Sequence, residues 1–354
     1  MSEHNHTIKA FVKLGDFLRT FCEFFNSDSN SENTNDIWLT KFKTEVEMAH
    51  HYNGWFTEEN CIHAFQEWGN TLTQSNIENW LNNYDLSRNK EKTVALIMAG
   101  NIPLVGFHDL LSVLITGNKA LVKLSSSDQR LIPLLVEYLK YVEPYFEDRI
   151  VFTKEKLTHF DAVIATGSNN TARYFEYYFS KKPNIIRKNR NSAAVLTGKE
   201  TTAELTDLGE DIFRYFGLGC RSVSKIFVPS NYDIDQFYKA MFGYNDIINH
   251  NKYANNYDYN KAVYLMSEFK ILDNGFLLLK EENSYASPIA SVFYEKYENI
   301  SDLKNKLISE KDKIQCIVSS NFIDGEIAFG QTQKPSLNDY ADGVDTVEFL
   351  LRTS

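Results

Sequence analysis

Thr93-Val94-Ala95-Leu96-Ile97-Met98-Ala99, followed at once by Gly100-Asn101-Ile102-Pro103, is the stretch whose reading decides the fold. An apolar run of strand length, unbroken after Thr93, suits a strand covered on both faces, because a strand with one wet face alternates instead. Downstream, an apolar helix is expected over Leu104–Thr116, a turn at Gly117-Asn118 and a second strand at Ala120–Leu124. A helix over Gln129–Tyr145 carries Leu131, Leu134, Leu135, Tyr138 and Leu139 on one side. Strands follow at Ile150–Phe152 and Ala162–Ala165. The latter runs through Thr166-Gly167-Ser168-Asn169 into a helix ending at Phe179, and a strand at Ala193–Leu196 closes the run. Alternating strands and helices specify a doubly wound, mainly parallel sheet. Ligands of such sheets bind beyond the carboxyl ends of the strands, so the loops at Gly100–Pro103, Ser125–Asp128 and Thr166–Asn169 are where a cofactor is sought.

Upstream, residues 1–90 read as a helical arm. Phe11, Leu14, Leu18, Phe21 and Phe25 place a helix over Ile8–Phe25, and the polar Asn26–Asp36 reads as a loop. A further helix is expected from the N-cap Thr57. Another starts at Ser75, where Ser75 and Glu78 have capping-box spacing. Beyond Gly198 a second α/β unit begins. A helix marked by Leu205, Leu208, Ile212 and Phe216 stops at Gly217, and Leu218-Gly219-Cys220-Arg221 leads into a strand at Val223–Val228. A helix near Ile234–Met241, strands at Ile289–Phe293 and Cys316–Ser319, and a helix at Ile300–Ser309 follow. The resulting division is 1–90 arm, 91–197 first α/β domain, 198–325 second α/β domain and 326–354 C-terminal segment.

Composition narrows the function classes. The 354 residues suggest about 2.4 domains. Lys and Arg number 37 against 47 Asp and Glu, a net charge of −10 with no long basic block, which argues against a nucleic-acid binder. No apolar run approaches the roughly 18 residues of a membrane span, and Met1–Ala10 lacks a secretory pattern, so a cytoplasmic protein is expected. Cys22, Cys61, Cys220 and Cys316 have no paired spacing, and the histidines have none suited to a metal, so neither disulfides nor a metal site is expected. His4 and His6 are assigned to a mobile terminus.

Few residues bear chemistry by themselves. Cys22 and Cys61 sit in apolar helical patterns and Cys316 in a strand, where a thiol acts as a small hydrophobe. Cys220 lies between Gly219 and Arg221 on a loop. The glycine leaves the sulfur accessible and a guanidinium favours thiolate, although most loop cysteines are inert. The Asn101 amide can donate to an oxyanion, or simply belong to a Gly-Asn-Ile-Pro turn. Lys123 can reach a ribose or phosphate, or end its strand in solvent. Gly167-Ser168 opens a helix whose N–H groups can hold a pyrophosphate, although an N-capping serine needs no ligand. Gly217-Leu218-Gly219-Cys220-Arg221-Ser222 mimics a dinucleotide glycine fingerprint but stands between a helix and a strand, the wrong order.

Taken in order, Asn101 in Gly-Asn-Ile-Pro, Lys123 in Val-Lys-Leu-Ser, Gly167-Ser168, Cys220 and Ala328-Phe329-Gly330-Gln331 resemble the successive landmarks of the aldehyde dehydrogenase superfamily. Within it, the chain resembles the acyl-CoA reductases of the LuxC type through Asn53-Gly54-Trp55-Phe56-Thr57, Gly219-Cys220-Arg221-Ser222-Val223-Ser224, Tyr253-Ala254-Asn255-Asn256-Tyr257-Asp258 and Asp339-Tyr340-Ala341-Asp342-Gly343-Val344. The resemblance implies an aldehyde dehydrogenase-like fold of two doubly wound α/β domains with a helical N-terminal arm. It implies NADPH-dependent reduction of a fatty acyl-CoA to the aldehyde, with Cys220 as nucleophile and Asn101 as oxyanion donor. Lys123, Ser125, Ser126, Gly167 and Ser168 are its implied cofactor contacts. An acyl phosphate, an acyl-carrier-protein thioester or a non-redox acyl-transfer role are the alternatives. A homo-oligomer, working with an acyl-activating enzyme, is the expected assembly.

Three departures from the superfamily pattern refine this. Where hydrolysing members carry a glutamate base, the segment here is Arg187-Lys188-Asn189-Arg190-Asn191-Ser192, with Arg187 in that place. The acidic residue that follows the cofactor lysine is replaced by Ser126 in Ser125-Ser126-Ser127, which favours NADPH, since a carboxylate there would repel a 2′-phosphate. A second glutamate, which contacts the nicotinamide ribose in dehydrogenases, has Ser284 as its counterpart.

Overall fold

Strand β1 (Thr93–Ile97) is the middle strand of a five-stranded sheet in a computed structural model that describes residues 2–27 and 35–353. Val94, Ala95 and Leu96 are buried, so the unbroken apolar run reflects cover on both faces of the pleat. The chain divides into two compact units, Met1–Lys188 with Ser336–Ser354, and Asn189–Pro335. In the first, β2 (Lys119–Lys123), β3 (Ile150–Phe152), β4 (Ala162–Thr166) and β5 (Asn184–Arg187) complete the sheet in the order β3-β2-β1-β4-β5, every pair parallel. β5 was not expected, because four residues after Pro183 carry too little pattern to announce a strand; the parallel pairing with β4 makes it one.

Four helices precede the sheet: α1 (Ser2–Asn26), α2 (Ile37–Tyr52), α3 (Glu58–Thr71) and α4 (Gln74–Leu81). α1 starts at Ser2, so the N-terminus assigned to mobility continues the helix. Most of the loop expected over Asn26–Asp36 lies outside the described residues. α2 escaped the sequence reading, its buried stripe being only Phe42, Val46 and Ala49 among charged and histidine neighbours; Asp36 caps it by accepting from Trp38 and Leu39. Thr57 caps α3 as expected, whereas α4 is capped by Thr73, which accepts from the Asn76 N–H, and not by Ser75. This arm is joined to the sheet through aromatic packing. Phe17 stacks on Tyr138 at 4.2 Å, and Phe11 meets Phe107 and Phe146 edge-on. Tyr138 lies on α6 (Leu131–Val142) and Phe107 on α5 (Phe107–Ile115), whose residues are almost all buried. α7 (Asn169–Phe179) follows β4, with Ser168 as N-cap.

The second unit holds β6 (Asn191–Val195), α8 (Thr202–Phe213), β7 (Val223–Pro229), α9 (Ile234–Met241), α10 (Asn251–Met266), β8 (Ile271–Asp273), β9 (Leu278–Glu281), β10 (Ser291–Tyr297), α11 (Ile300–Ser309) and β11 (Ile314–Val318). Its strand order is β11-β6-β7-β10-β9-β8, parallel except for β8 against β9. Leu205, Leu208 and Phe237 of α8 and α9 pack on Ala194, Ile226 and Val228, while Leu303 and Leu307 of α11 pack on Ala193, Val195 and Phe227. The alternation of these strand residues assigns the helices to opposite faces, as a doubly wound sheet requires. β6, expected to close the first sheet, pairs instead with β7 and β11. The division therefore falls at Lys188/Asn189 rather than after residue 197.

Residues 336–353 return to the first unit, ending in α12 (Thr346–Arg352). The buried Lys92 donates to the Leu350 carbonyl at 2.5 Å, and the Tyr340 hydroxyl accepts from Trp80 Nε1 at 2.6 Å. The helical arm and this return thus belong to the same compact unit as the first sheet. Among the described residues no helix is long and apolar enough to cross a membrane.

α1 and α3 cross closely at Gly15, where a Cβ would lie 2.8 Å from Leu72 Cβ and closer still to the Leu72 carbonyl oxygen. Glycine-to-alanine inside a helix ordinarily stabilises by about 1 kcal/mol. Gly15→Ala is expected to reverse that sign and destabilise by about 1–3 kcal/mol in urea unfolding, through overpacking.

Candidate active site

The carboxyl edge of the first sheet gathers three of the expected loops. Ile97 is in register with Lys123 on one side and Ala165 on the other, so the segments after β1, β2 and β4 leave the sheet at one level. Gly100 brings the first two together: a Cβ there would come within 2.8 Å of Ser125 Cβ and 2.9 Å of the Asp128 nitrogen. Asn101 is exposed just beyond this contact, with Ser125 half-buried and Ser126 exposed across it. Ser125 Oγ accepts from the Ser127 N–H at 3.1 Å, and Asn53 donates to the Ser127 carbonyl at 3.1 Å. Asn53 opens the Asn-Gly-Trp-Phe-Thr stretch, and its anchoring role was not readable without the fold.

Lys123, the last residue of β2, extends over the loop after β3 and donates to the Glu155 carbonyl at 3.3 Å. Asp128, the nearest carboxylate in the Ser125–Asp128 loop, is buried and accepts from Leu131 and Arg130 N–H, so it is committed to starting α6. Burial raises its pKa above the usual carboxylate value, against the pull of those donors. Ser168 accepts from the Thr171 N–H at 3.2 Å and caps α7. Gly167 lets that turn close, since a Cβ would sit 3.1 Å from Thr171 and Phe175. An ammonium, two hydroxyls and a helix N-terminus, with the local carboxylate turned inward, form a donor set suited to a phosphorylated nucleotide.

Arg187 lies at the end of β5, buried, with its guanidinium on Asp109 of α5 and on Thr346 of α12 at 3.1 Å. The place where a hydrolytic base was sought is thus filled by a structural ion pair. Ser284 accepts from the Ala286 N–H at 3.3 Å within its own turn.

In the second unit the cysteines separate clearly. Cys22, Cys61 and Cys316 are buried, and burial pushes the Cys22 thiol up to about 12 and the Cys61 thiol up as well. Cys220 is the one exposed cysteine among the described residues. Its loop is fastened on several sides. Ser192, wholly buried on β6, donates to the Cys220 carbonyl at 2.9 Å, and the Ser222 N–H reaches the Gly219 carbonyl at 3.0 Å. Arg221 Nε donates to the Thr332 carbonyl at 2.5 Å, and Gln333 donates to Ser222 Oγ at 3.3 Å. Thr332 in turn is held by the wholly buried Asp211 of α8, which accepts from Gly330 N–H at 2.7 Å, Thr332 N–H at 2.9 Å and Thr332 Oγ1 at 2.8 Å. The Phe-Gly segment noted in the sequence is therefore a clamp on the cysteine loop. Asp211 was missed; an acid flanking the apolar stripe Leu205, Leu208, Ile212 was its only signal.

The expected helix end at Gly217 is also different. α8 stops at Phe213, and Tyr215 (φ 55°, ψ 28°), Phe216 (φ 58°, ψ 25°) and Gly217 (φ 72°) form a left-handed turn closed by the Leu218 N–H on the Tyr215 carbonyl. Two aromatic residues in this region cost about 1–2 kcal/mol each. Their buried rings offset the cost; Phe216 lies 4.3 Å from the His250 ring. The turn redirects the chain three residues before Cys220.

Phe216→Gly and Phe216→Ala lose the same ring but differ in backbone strain. The glycine variant is expected to be the more stable by about 1 kcal/mol in thermal or urea unfolding, the reverse of the order in an ordinary helix.

Comparison with known proteins places these features in a family. The model of the acyl-CoA reductase (LuxC) family matches residues 73–288, more than half of the chain. Among solved structures, aldehyde dehydrogenase 21 from Physcomitrella patens, in complex with the reaction product succinate, has a TM-score of 0.62 at 12% identity, covering 98% of this chain and 87% of that one. The NADP-dependent glyceraldehyde-3-phosphate dehydrogenase from Bacillus halodurans, complexed with NADP, has a TM-score of 0.60 at 13% identity, covering 89% and 73%. These likenesses establish the aldehyde dehydrogenase-like fold with its two sheets and helical N-terminal segment. No curated protein matches the chain.

Proposed function

The chain belongs to the LuxC family of acyl-CoA reductases and is an aldehyde-forming oxidoreductase, and from that premise we propose that it reduces a fatty acyl-CoA with NADPH through an acyl-enzyme on Cys220. The observation that carries this reading is the exposed thiol of Cys220 on a loop tied down at both flanks, while the other three cysteines are buried. The Cys220 sulfur attacks the thioester carbon, a tetrahedral oxyanion forms, and coenzyme A leaves as its thiol, giving a new thioester on Cys220. The Cys220 backbone N–H is assigned as a donor to that oxyanion, and the Asn101 side-chain amide is the second donor that the family resemblance implies. NADPH, which Lys123, Ser125 and Gly167-Ser168 would hold, would supply a hydride to the thioester carbon, and the hemithioacetal on Cys220 would then release the aldehyde and restore the thiol.

The chain's own residues favour reduction over hydrolysis. A general base commonly contributes about 10²–10⁴-fold, and the place where one was sought holds Arg187, engaged with Asp109. Water is therefore poorly activated and the acyl-enzyme lasts long enough to be reduced. Lys123 and Ser125 are assigned to the cofactor's ribose, and Gly167-Ser168 with the α7 N-terminus to its pyrophosphate. Ser126 leaves room for a 2′-phosphate because Asp128, the carboxylate of that loop, is turned into the protein.

Purified protein is expected to oxidise NADPH with long-chain acyl-CoA and to release aldehyde, faster than with the matching acyl phosphate or acyl-carrier-protein thioester. Cys220→Ala should abolish both NADPH oxidation and the coenzyme A burst, and turnover persisting in that variant would overturn the mechanism. Ser126→Asp should lower kcat/KM for NADPH relative to NADH by about tenfold or more, because like charges are brought together. An unchanged ratio would remove Ser126 from cofactor choice.

A further inference from the structure

Lys225, five residues beyond Cys220 on β7, is a lysine with no solvent exposure in the middle of the second sheet, and neither the acyl transfer nor the hydride step uses it. Its ammonium donates to Glu295 of β10 at 2.6 Å and to the Asn283 carbonyl at 2.8 Å, between the rings of Phe227 (4.8 Å) and Tyr285 (4.9 Å). Glu295 also pairs with Lys306 of α11, so the carboxylate has a cation even without Lys225. A wholly buried ammonium has a large desolvation cost, and a methionine of similar volume fills the same space without it. What methionine cannot supply is the donor to Asn283.

That donor has a consequence for the nucleophile. The connection between β9 and β10 is held at two carbonyls by consecutive residues of β7: Asn283 by Lys225, and Tyr285 by Ser224 Oγ at 2.7 Å. The same Ser224 Oγ lies 3.5 Å from the carbonyl of Ser192, the residue whose hydroxyl holds the Cys220 carbonyl. The single Ser224 hydroxyl proton goes to Tyr285, so its approach to Ser192 is packing; because Val223 beside it is in register with Ser192 on β6, a displacement of residues 283–285 that moves Ser224 passes to Ser192 and the cysteine loop through the β7–β6 pairing. We infer that Lys225 is a positioning residue for Cys220, acting through the Asn283–Tyr285 connection.

This rests on the assignment of Cys220 as nucleophile, and the experiment separates the two. Rapid-quench release of coenzyme A from long-chain acyl-CoA gives both the rate constant and the amplitude of acylation. Lys225→Met is expected to lower the rate constant about tenfold or more, since small misplacements cost that much. A merely structural role would lower the amplitude, by reducing the folded fraction, and leave the rate constant alone. Glu295→Gln keeps an acceptor for Lys225 and its bond to Asn283, so its rate constant should stay within about twofold of the parent even if its Tm falls. Should Lys225→Met fail to fold, Ser224→Ala removes the second anchor and should slow acylation similarly. Alkylation of Cys220 by iodoacetamide, located by peptide mapping, reads the same geometry without an acyl donor and carries the test if the parent protein shows no burst. A parent without a burst overturns the acyl-enzyme; parent-like acylation and alkylation rate constants in Lys225→Met, or in Ser224→Ala if that stands in for it, overturn the role of Lys225.

Discussion

One buried carboxylate orders the surroundings of Cys220. Asp211 has no solvent exposure, and burial raises its pKa despite three donors from Gly330 and Thr332. A carboxyl group in such a place must be bonded, because leaving it unsatisfied costs the full desolvation penalty. The Gly330–Thr332 backbone supplies those bonds and is fixed by them. Gly330 has φ +74°, and a Cβ there would meet Asp207 at 3.1 Å, so the segment approaches α8 as only glycine allows. The fixed Thr332 carbonyl receives Arg221, and the cysteine loop acquires one position.

The first unit obeys a different constraint, the parallel register of its sheet. Because β1, β2 and β4 run the same way, their following loops share an edge, and residues far apart in sequence become neighbours. Gly100 against Ser125, and Asn53 against Ser127, are the local fastenings at that edge. Asp128 carries a charge there that would repel a nucleotide phosphate, and Arg187 ends the neighbouring strand β5. Each is spent inside the protein, one starting a helix and the other on Asp109.

The reach of the sequence follows from where its patterns come from. β1, α5 and the alternation after them were legible because burial on both faces leaves an apolar run that nothing polar can imitate. Cys220 stood out by its glycine neighbour and by the apolar settings of the other three cysteines. α2 and β5 were not legible: one has a narrow buried stripe, the other only four residues and a neighbour to pair with. β6 was visible as a strand yet assigned to the wrong sheet, since an apolar run does not name its partners. The left-handed turn at Tyr215-Phe216 was hidden for a related reason, because only the packing of both rings makes that backbone tolerable. Asp211, Ser192 and Asn53 act on backbone groups far along the chain, and no local pattern encodes such a bond.

The proposed reaction requires a covalent intermediate at one sulfur. Mixing the protein with a long-chain acyl-CoA in the absence of NADPH, quenching in acid and mapping the peptides by mass spectrometry tests it most directly. The predicted result is one acyl mass increment per chain, located on the peptide containing Cys220 and discharged when NADPH is added before the quench. An increment on Cys22, Cys61 or Cys316 instead, or an unmodified Cys220 during undiminished turnover, would contradict it.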